Sequence, residues 1–333
     1  MGKTDKILYD YLSDKDRFSD LFNGCCFEGR QIIRPNDMEL LDGRYSRQRG
    51  DRANISLIGD SAGVQERDLL MLCRDQAFLR LLAVENQTQI DYTMPWRCMN
   101  YDVREYEKQI RQLSRNNRKN KSLQGNAEFL CGLKKEDRLI PVYTLCVYYG
   151  EETWDGPRSL RDMMCFGALA CESDHWFRDY GMNLICANEW EDSDRFLTSL
   201  RQVFGALPYR KNKEKLRRVM QEDSTYRHLD GETYKVLALL LGQKELAIQS
   251  EKEEKEEWDM CKALEDIRME GFEEGIERGI ERGMERGVDQ GKLDKTRTVV
   301  RNMLQRGMTK EDIIALAECS GELVEDVKRS IKG

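Results

Sequence analysis

The stretch DLLMLCRDQAFLRLLAVENQT, residues 68–88, decides the fold. Residues 68–73 are apolar enough for a buried strand, and Arg74-Asp75-Gln76 supplies a turn. Residues 77–88 form a second strand, although their apolar run is also compatible with a helix. On a strand, positions i and i+2 share a face. Glu85 and Gln87 therefore point one way, while Val84 and Asn86 point the other. A glutamate and an amide at the end of LRLLAV sit where a strand leaves the core, and a rigid scaffold there suits a functional site.

A turn centred near Asp75 puts Glu85 opposite residue 65 or 66. Asp68 then lies diagonally off that point, about 7–8 Å away between backbones. Asp75 is ten residues from Glu85, about 33 Å along an extended strand, and is excluded as a partner. Glu66 shares a face with Asp68 and stays open as a rival ligand. Two carboxylates so placed suit a hard divalent cation and phosphodiester hydrolysis. In that chemistry Gln87 orients the attacking water, although an amide cannot act as a base. Arg97, near a helix start, either holds a phosphate or is a solvated side chain.

The whole chain narrows the chemistry in the same direction. Its two histidines, His175 and His228, both stand in polar surroundings and are expected at the surface. A Ser-His-Asp triad or a multi-histidine metal site is therefore not expected, and hydrolysis has to rest on carboxylates and Mg²⁺-like ions. Eleven scattered cysteines form no CxxC pair and read as reduced, mostly buried small hydrophobes. Charged residues make up 35% of the 333, above the usual level of about 25%, which favours long solvated helices. The net charge of −7 argues weakly against nucleic-acid binding without excluding a local basic patch. The polar N-terminal segment and the absence of a long apolar run lead to the expectation of a cytoplasmic protein without membrane spans.

Outward from the hairpin, residues 3–23 read as one amphipathic helix ended by Asn23-Gly24, followed by loops with a strand near residues 31–33. Pro95 starts a helix. Residues 111–121 (RQLSRNNRKNK) carry five basic residues and no acid, and read as a loop or frayed helix end. Residues 140–149 form the clearest strand and residues 183–187 a shorter one, and a helical pattern runs to about 248. A charge block at 250–257 precedes a four-residue repeat, GFEE-GIER-GIER-GMER-GVDQ-G, with glycines from Gly271 to Gly291. This repeat is either a self-association helix or a solvated connector. Residues 296–333 read as a small unit of three helices with Gly321 in a turn. It is compatible with a helix-turn-helix, but Glu322, Glu325 and Asp326 would repel phosphates, which favours a cap or partner-binding unit.

Four stretches carry a resemblance: FNGCCFEGRQIIRPNDMELLD (22–42), RDLLM (67–71), LLAVENQTQIDYTMPWRCMNYDVREYEKQI (81–110) and YYGEETWDGPRSLRDMM (148–164). Together they resemble the Rpn/YhgA-like family of recombination-promoting nucleases and putative transposases, within the PD-(D/E)XK nuclease superfamily. The resemblance covers most of residues 5–190. It implies an α/β, restriction-endonuclease-like core with a mixed sheet over residues 1–190 and a helical extension over 191–249. A charged Gly-repeat linker over 250–295 and the small helical unit over 296–333 complete the expected organisation. It places the metal-binding pair on Asp68 and Glu85, puts Gln87 where the superfamily usually has lysine, and makes the Asn86 carbonyl a further ligand. The expected activity is Mg²⁺-dependent cleavage of double-stranded DNA. Arg111, Arg115, Arg118, Lys119 and Lys121 either contact the backbone or belong to a solvated loop. Two alternatives stand beside it: a catalytically silent interaction or regulatory protein, and a recombinase, for which no DDE-type triad is visible.

Overall fold

The computed structural model describes residues 3–41, 44–45, 65–75, 78–166, 176–253 and 255–332. Gly43, Gly50, Gly59, Gln76, Cys171 and His175 lie outside the described residues. The chain divides into two units, Met1–Lys262 and Ala263–Gly333.

In the first unit, helices α1 (Lys3–Leu12) and α2 (Lys15–Phe27) replace the single helix expected. The break is made by Asp14, whose carboxylate accepts the N–H of Arg17 and caps α2. The expected stop at Asn23-Gly24 does not occur, because Asn23 turns inward. Its amide donates to the Ile33 carbonyl at 2.8 Å and accepts the N–H groups of Ile33 and Ile32 at 2.8 and 3.1 Å. Those bonds hold the returning chain to α2. They also explain why residues 31–33 form no strand: their backbone groups are already satisfied by a side chain. Gly24 is buried, and a Cβ there would lie 2.3 Å from the Phe196 ring.

The strands are β1 (Met38–Leu40), β2 (Arg44–Tyr45), β3 (Gln65–Glu66), β4 (Leu69–Asp75) and β5 (Phe78–Gln87). Helix α3 (Met94–Lys119) and the short α4 (Gly125–Cys131) lead to β6 (Val142–Tyr148) and β7 (Asn183–Cys186). The mixed five-stranded sheet has the order β1-β4-β5-β6-β7. β1, β4 and β5 pair antiparallel, and β5, β6 and β7 pair parallel. Parallel neighbours need a crossover, and α3 lies in it. β2 and β3 form a separate pair with Glu66 opposite Arg44.

Alternation along β5 assigns the two faces of the sheet. Leu82 and Val84 join Leu69, Met71, Leu145 and Val147 in a core with Leu8, Phe18 and Phe22 of α1 and α2. The same core takes in helices α5 (Leu200–Ala206) and α7 (Gly231–Leu240) through Val203, Phe204 and Val236. Each such side chain contributes about 1.5–3 kcal/mol by leaving water. Leu81 and Ala83 face the other way, where Met94 and Cys98 of α3 pack near Cys146 and Tyr148. Helices α6 (Lys213–Glu222) and α8 (Lys244–Gln249) complete this unit.

Residues 111–119 are not a loop. They are the last turns of α3, anchored because the buried Asn117 amide donates to the Gly132 carbonyl at 3.1 Å and to Asp137 at 2.7 Å. The described cysteines are free, but only Cys73, Cys98 and Cys146 among them are buried, fewer than expected. His228 is exposed and sits 2.7 Å from Glu257.

Helix α9 (Met260–Gln305) carries the whole glycine repeat. Its end packs with α10 (Lys310–Ala317) and α11 (Gly321–Lys332) around Val300, Ile313, Val324 and Val327. Thr309 caps α10, and Gly321 opens α11 rather than sitting in a turn. No described helix is long and apolar enough to cross a membrane.

Candidate active site

The hairpin register differs from the expected one. Leu69 faces Val84 and Asp75 faces Phe78, so one further step sets Asp68 directly opposite Glu85 rather than diagonal to it. The strands pair through Asp75 itself, which moves the centre of the hairpin beyond the expected turn. Asp75 stays at the far end, 3.3 Å from Arg80.

Asp68 is fixed by β5 itself. Its Oδ2 accepts the backbone N–H of Asn86 at 2.7 Å. At this end of β5, the odd-numbered residues bond to the β6 side: the Leu81 N–H donates to the Pro141 carbonyl and the Tyr149 N–H to the Gln87 carbonyl. The N–H and carbonyl of one strand residue point the same way. Asn86 therefore aims both at Asp68. Its side chain is buried on the opposite face from Glu85.

Glu85 is wholly buried under α3, not at an exposed strand rim. Both carboxylate oxygens lack a hydrogen-bond partner among the described residues. The nearest cation is Arg67, whose Nε lies 3.5 Å from Oε1, an ion pair without hydrogen-bond geometry. Burial, and next the charge of Asp68, push the Glu85 carboxyl up to about 8, against the opposing pull of Arg67 and Arg97. Burial likewise raises Asp68, while the Asn86 N–H and Arg97 work against that rise.

Arg97 stands on the second turn of α3 and is held by Asp91 at 2.8 Å. Burial opposes its charge, but Asp91, Tyr101 and Glu85 more than offset that and raise its pKa. Gln87 is half-buried, paired with Tyr148 in the parallel register, and shares the face of Glu85 about 7 Å further along. Asp68, Glu85, Gln87 and Arg97 thus come together. The other basic residues do not. Arg111 is fourteen residues beyond Arg97 on α3, about 21 Å at the rise of a helix, and Lys119 is about 33 Å beyond it.

A buried network beside Glu85 went unread in the sequence. Asp102 accepts from Arg67 at 2.6 Å, from the Thr144 hydroxyl at 2.6 Å and from the Tyr180 hydroxyl at 2.6 Å. Arg67 also donates to Thr144 at 3.1 Å and lies over the Tyr101 ring at 5.5 Å. Burial, then the Asp102 charge, raises the Tyr180 phenol strongly. One signal was available: Met94, Cys98, Tyr101, Asp102 and Glu105 fall on one helical stripe, which marks two acids for burial.

No family model matches the chain, and neither a curated protein nor a solved structure does. Among the described residues, no group of three or more His, Cys, Asp or Glu is gathered as metal ligands. The oxygen set at the hairpin end is therefore two carboxylates and the Asn86 carbonyl. Oxygen donors suit a hard cation, and the buried Glu85 carboxylate, ion-paired with Arg67 but without a hydrogen-bond partner among the described residues, has oxygens left to offer one.

Proposed function

We propose that the chain is a metal-dependent DNA endonuclease of the Rpn/YhgA-like family, with a PD-(D/E)XK core in its first unit. The observation that carries this reading is Asp68 set opposite Glu85, with the Asn86 backbone bonded to Asp68 between them. The mixed sheet, in which an antiparallel hairpin is followed by a helix and a parallel strand, is compatible with such a core. Asp68, Glu85 and the Asn86 carbonyl would hold a divalent cation such as Mg²⁺, which supplies positive charge at the phosphoryl oxygens and favours ionisation of water.

The chain's own residues do the rest. Gln87 orients the attacking water and takes no proton. Arg97, already charged and held by Asp91, receives a phosphate oxygen with its remaining donors. Double-stranded DNA fits the spacing along α3, since 21 Å is about six base pairs at 3.4 Å each. Arg111, Arg115, Arg118, Lys119 and Lys121 then contact backbone well away from the cleaved bond. We place this activity in the cytoplasm.

One observation favours a second reading, a catalytically silent interaction protein: Arg67 already supplies a positive charge to Glu85. Incubation of supercoiled plasmid with the protein and Mg²⁺, with and without EDTA, separates the two. Nicked circles formed only with free Mg²⁺ support the endonuclease. Intact plasmid under both conditions supports the silent protein.

A further inference from the structure

Arg67 competes with any cation for Glu85. It is wholly buried beside that carboxylate, with Nε 3.5 Å from Oε1. A guanidinium commonly closes on a carboxylate through two parallel N–H bonds, and the side-on fork uses Nε together with Nη2. A carboxylate closed in that way has little left to offer a metal. Here the fork is not closed, and the cause lies on the far side of the guanidinium.

Nη2 donates elsewhere. It reaches Asp102 Oδ1 at 2.6 Å and the Thr144 hydroxyl at 3.1 Å. Thr144 donates to the same Asp102 oxygen at 2.6 Å, and the Tyr180 hydroxyl donates to the other at 2.6 Å. Those two hydroxyls come from β6 and from the segment before β7, so they hold the Asp102 carboxylate in place on α3. The pull on Nη2 leaves Nε at ion-pair distance from Glu85, outside hydrogen-bond geometry.

The charges are matched in the same sense. With Glu85 ionised, the four carboxylates of Asp68, Glu85, Asp91 and Asp102 stand against the two guanidiniums of Arg67 and Arg97, a surplus of two negative charges. A divalent cation neutralises that surplus, and without the Asp102 charge it falls to one. Outer partners that orient metal ligands commonly work in this way.

We infer that Asp102 is a positioning residue for the candidate metal site: by holding Arg67 through Nη2, with Thr144 and Tyr180 fixing its carboxylate, it keeps Glu85 open to a divalent cation. The inference rests on the reading that Asp68 and Glu85 hold that cation. Asp102 acts on the site through Arg67. Asp102→Asn keeps the shape and removes the charge that makes the bond to Arg67 strong, so Arg67 closes on Glu85.

Binding of Mn²⁺ to the full chain without DNA, with the free ion counted by electron paramagnetic resonance, tests this. The wild type is expected to bind Mn²⁺ at a site that Asp68→Ala abolishes. Asp102→Asn is expected to bind it about tenfold more weakly or worse, and Thr144→Val, which removes a smaller part of the hold, about threefold more weakly. Arg67→Met/Asp102→Asn removes the competing cation together with its holder and restores affinity to within about threefold of wild type. A merely structural role predicts the reverse, since the double variant loses a further buried interaction. Near-ultraviolet circular dichroism checks each fold. Should Asp102→Asn fail to fold, Thr144→Val decides, and an affinity equal to wild type overturns the inference. Equal affinity in wild type and folded Asp102→Asn also overturns it while leaving the cation site standing, as does a folded double variant no tighter than Asp102→Asn. A wild type that binds no Mn²⁺, or binds it equally after Asp68→Ala, overturns the cation site and the inference with it.

Discussion

The Asp68 carboxylate accepts the backbone N–H of Asn86 at 2.7 Å, which ties the entrance of one hairpin strand to the exit of the other. This bond fixes Asp68 opposite Glu85 without any other side chain. Asp68→Ala leaves the Asn86 N–H without that acceptor and is expected to destabilise the fold by about 1–3 kcal/mol. Asp68→Asn keeps an acceptor oxygen and is expected to be milder. Urea midpoints for the two variants check this; equal losses would mean the bond carries no stability.

Burial of Glu85 makes stability depend on pH. Its carboxyl titrates at about 8 in the fold against an ordinary 4.5. The folded state therefore favours the protonated form. That stability is fully present below pH 4.5, falls as pH rises toward 8, and is gone above it. The slope is about 1.4 kcal/mol per pH unit at most. Glu85→Gln has no such loss. Relative to wild type it is expected to gain stability between pH 4.5 and 8 and to hold a constant advantage above that. Parallel stability curves for the two proteins would show that Glu85 titrates normally.

Asp102 is held by Arg67, Thr144 and Tyr180 in a dry setting, so its removal is more costly than that of a surface acid. Asp102→Ala leaves the wholly buried Arg67 without that partner and is expected to cost about 3–5 kcal/mol. Tyr180→Phe removes one bond to a charged group and is expected to cost about 1.5–3 kcal/mol. If both act through the same carboxylate, the double variant loses less than the sum of the single ones, and a chemical-denaturation cycle reads the difference.

Gly24 lets α2 approach Phe196. Gly24→Ala puts a methyl group into that ring and is expected to cost about 1–3 kcal/mol. Adding Phe196→Leu to Gly24→Ala is expected to recover part of the loss. A midpoint unchanged in Gly24→Ala would mean that the ring moves aside freely.

The hairpin strands and the strands over 140–149 and 183–187 are legible because apolar runs and β-branched, aromatic residues report burial directly. The register is not, because a strand pattern does not say where a turn is centred, and the observed pairing lies two to three positions from the expected one. Glu85 read as a rim residue because its cover, α3, crosses from elsewhere in the chain. Asp102 and Arg67 are hidden for the same reason: an acid and a base far apart in sequence become one buried network only when the β3–β4 connection, α3 and β6 meet. Asn23 misled the reading of α2, since a residue that commonly ends helices here bonds across to Ile33 instead. The Asn and Ser content of residues 111–121 leaves a loop and a helix end both open, and Asn117 decides for the helix end by anchoring it to Gly132 and Asp137.

The central claim is that Asp68 and Glu85 together hold a cation for cleavage of DNA. The direct measurement is nicking of supercoiled plasmid in Mg²⁺ by wild type, Asp68→Ala and Glu85→Gln, each checked for folding by circular dichroism. Nicking by wild type and a loss of at least 100-fold in both folded variants is the result predicted here. Equal nicking by wild type and both variants would contradict it.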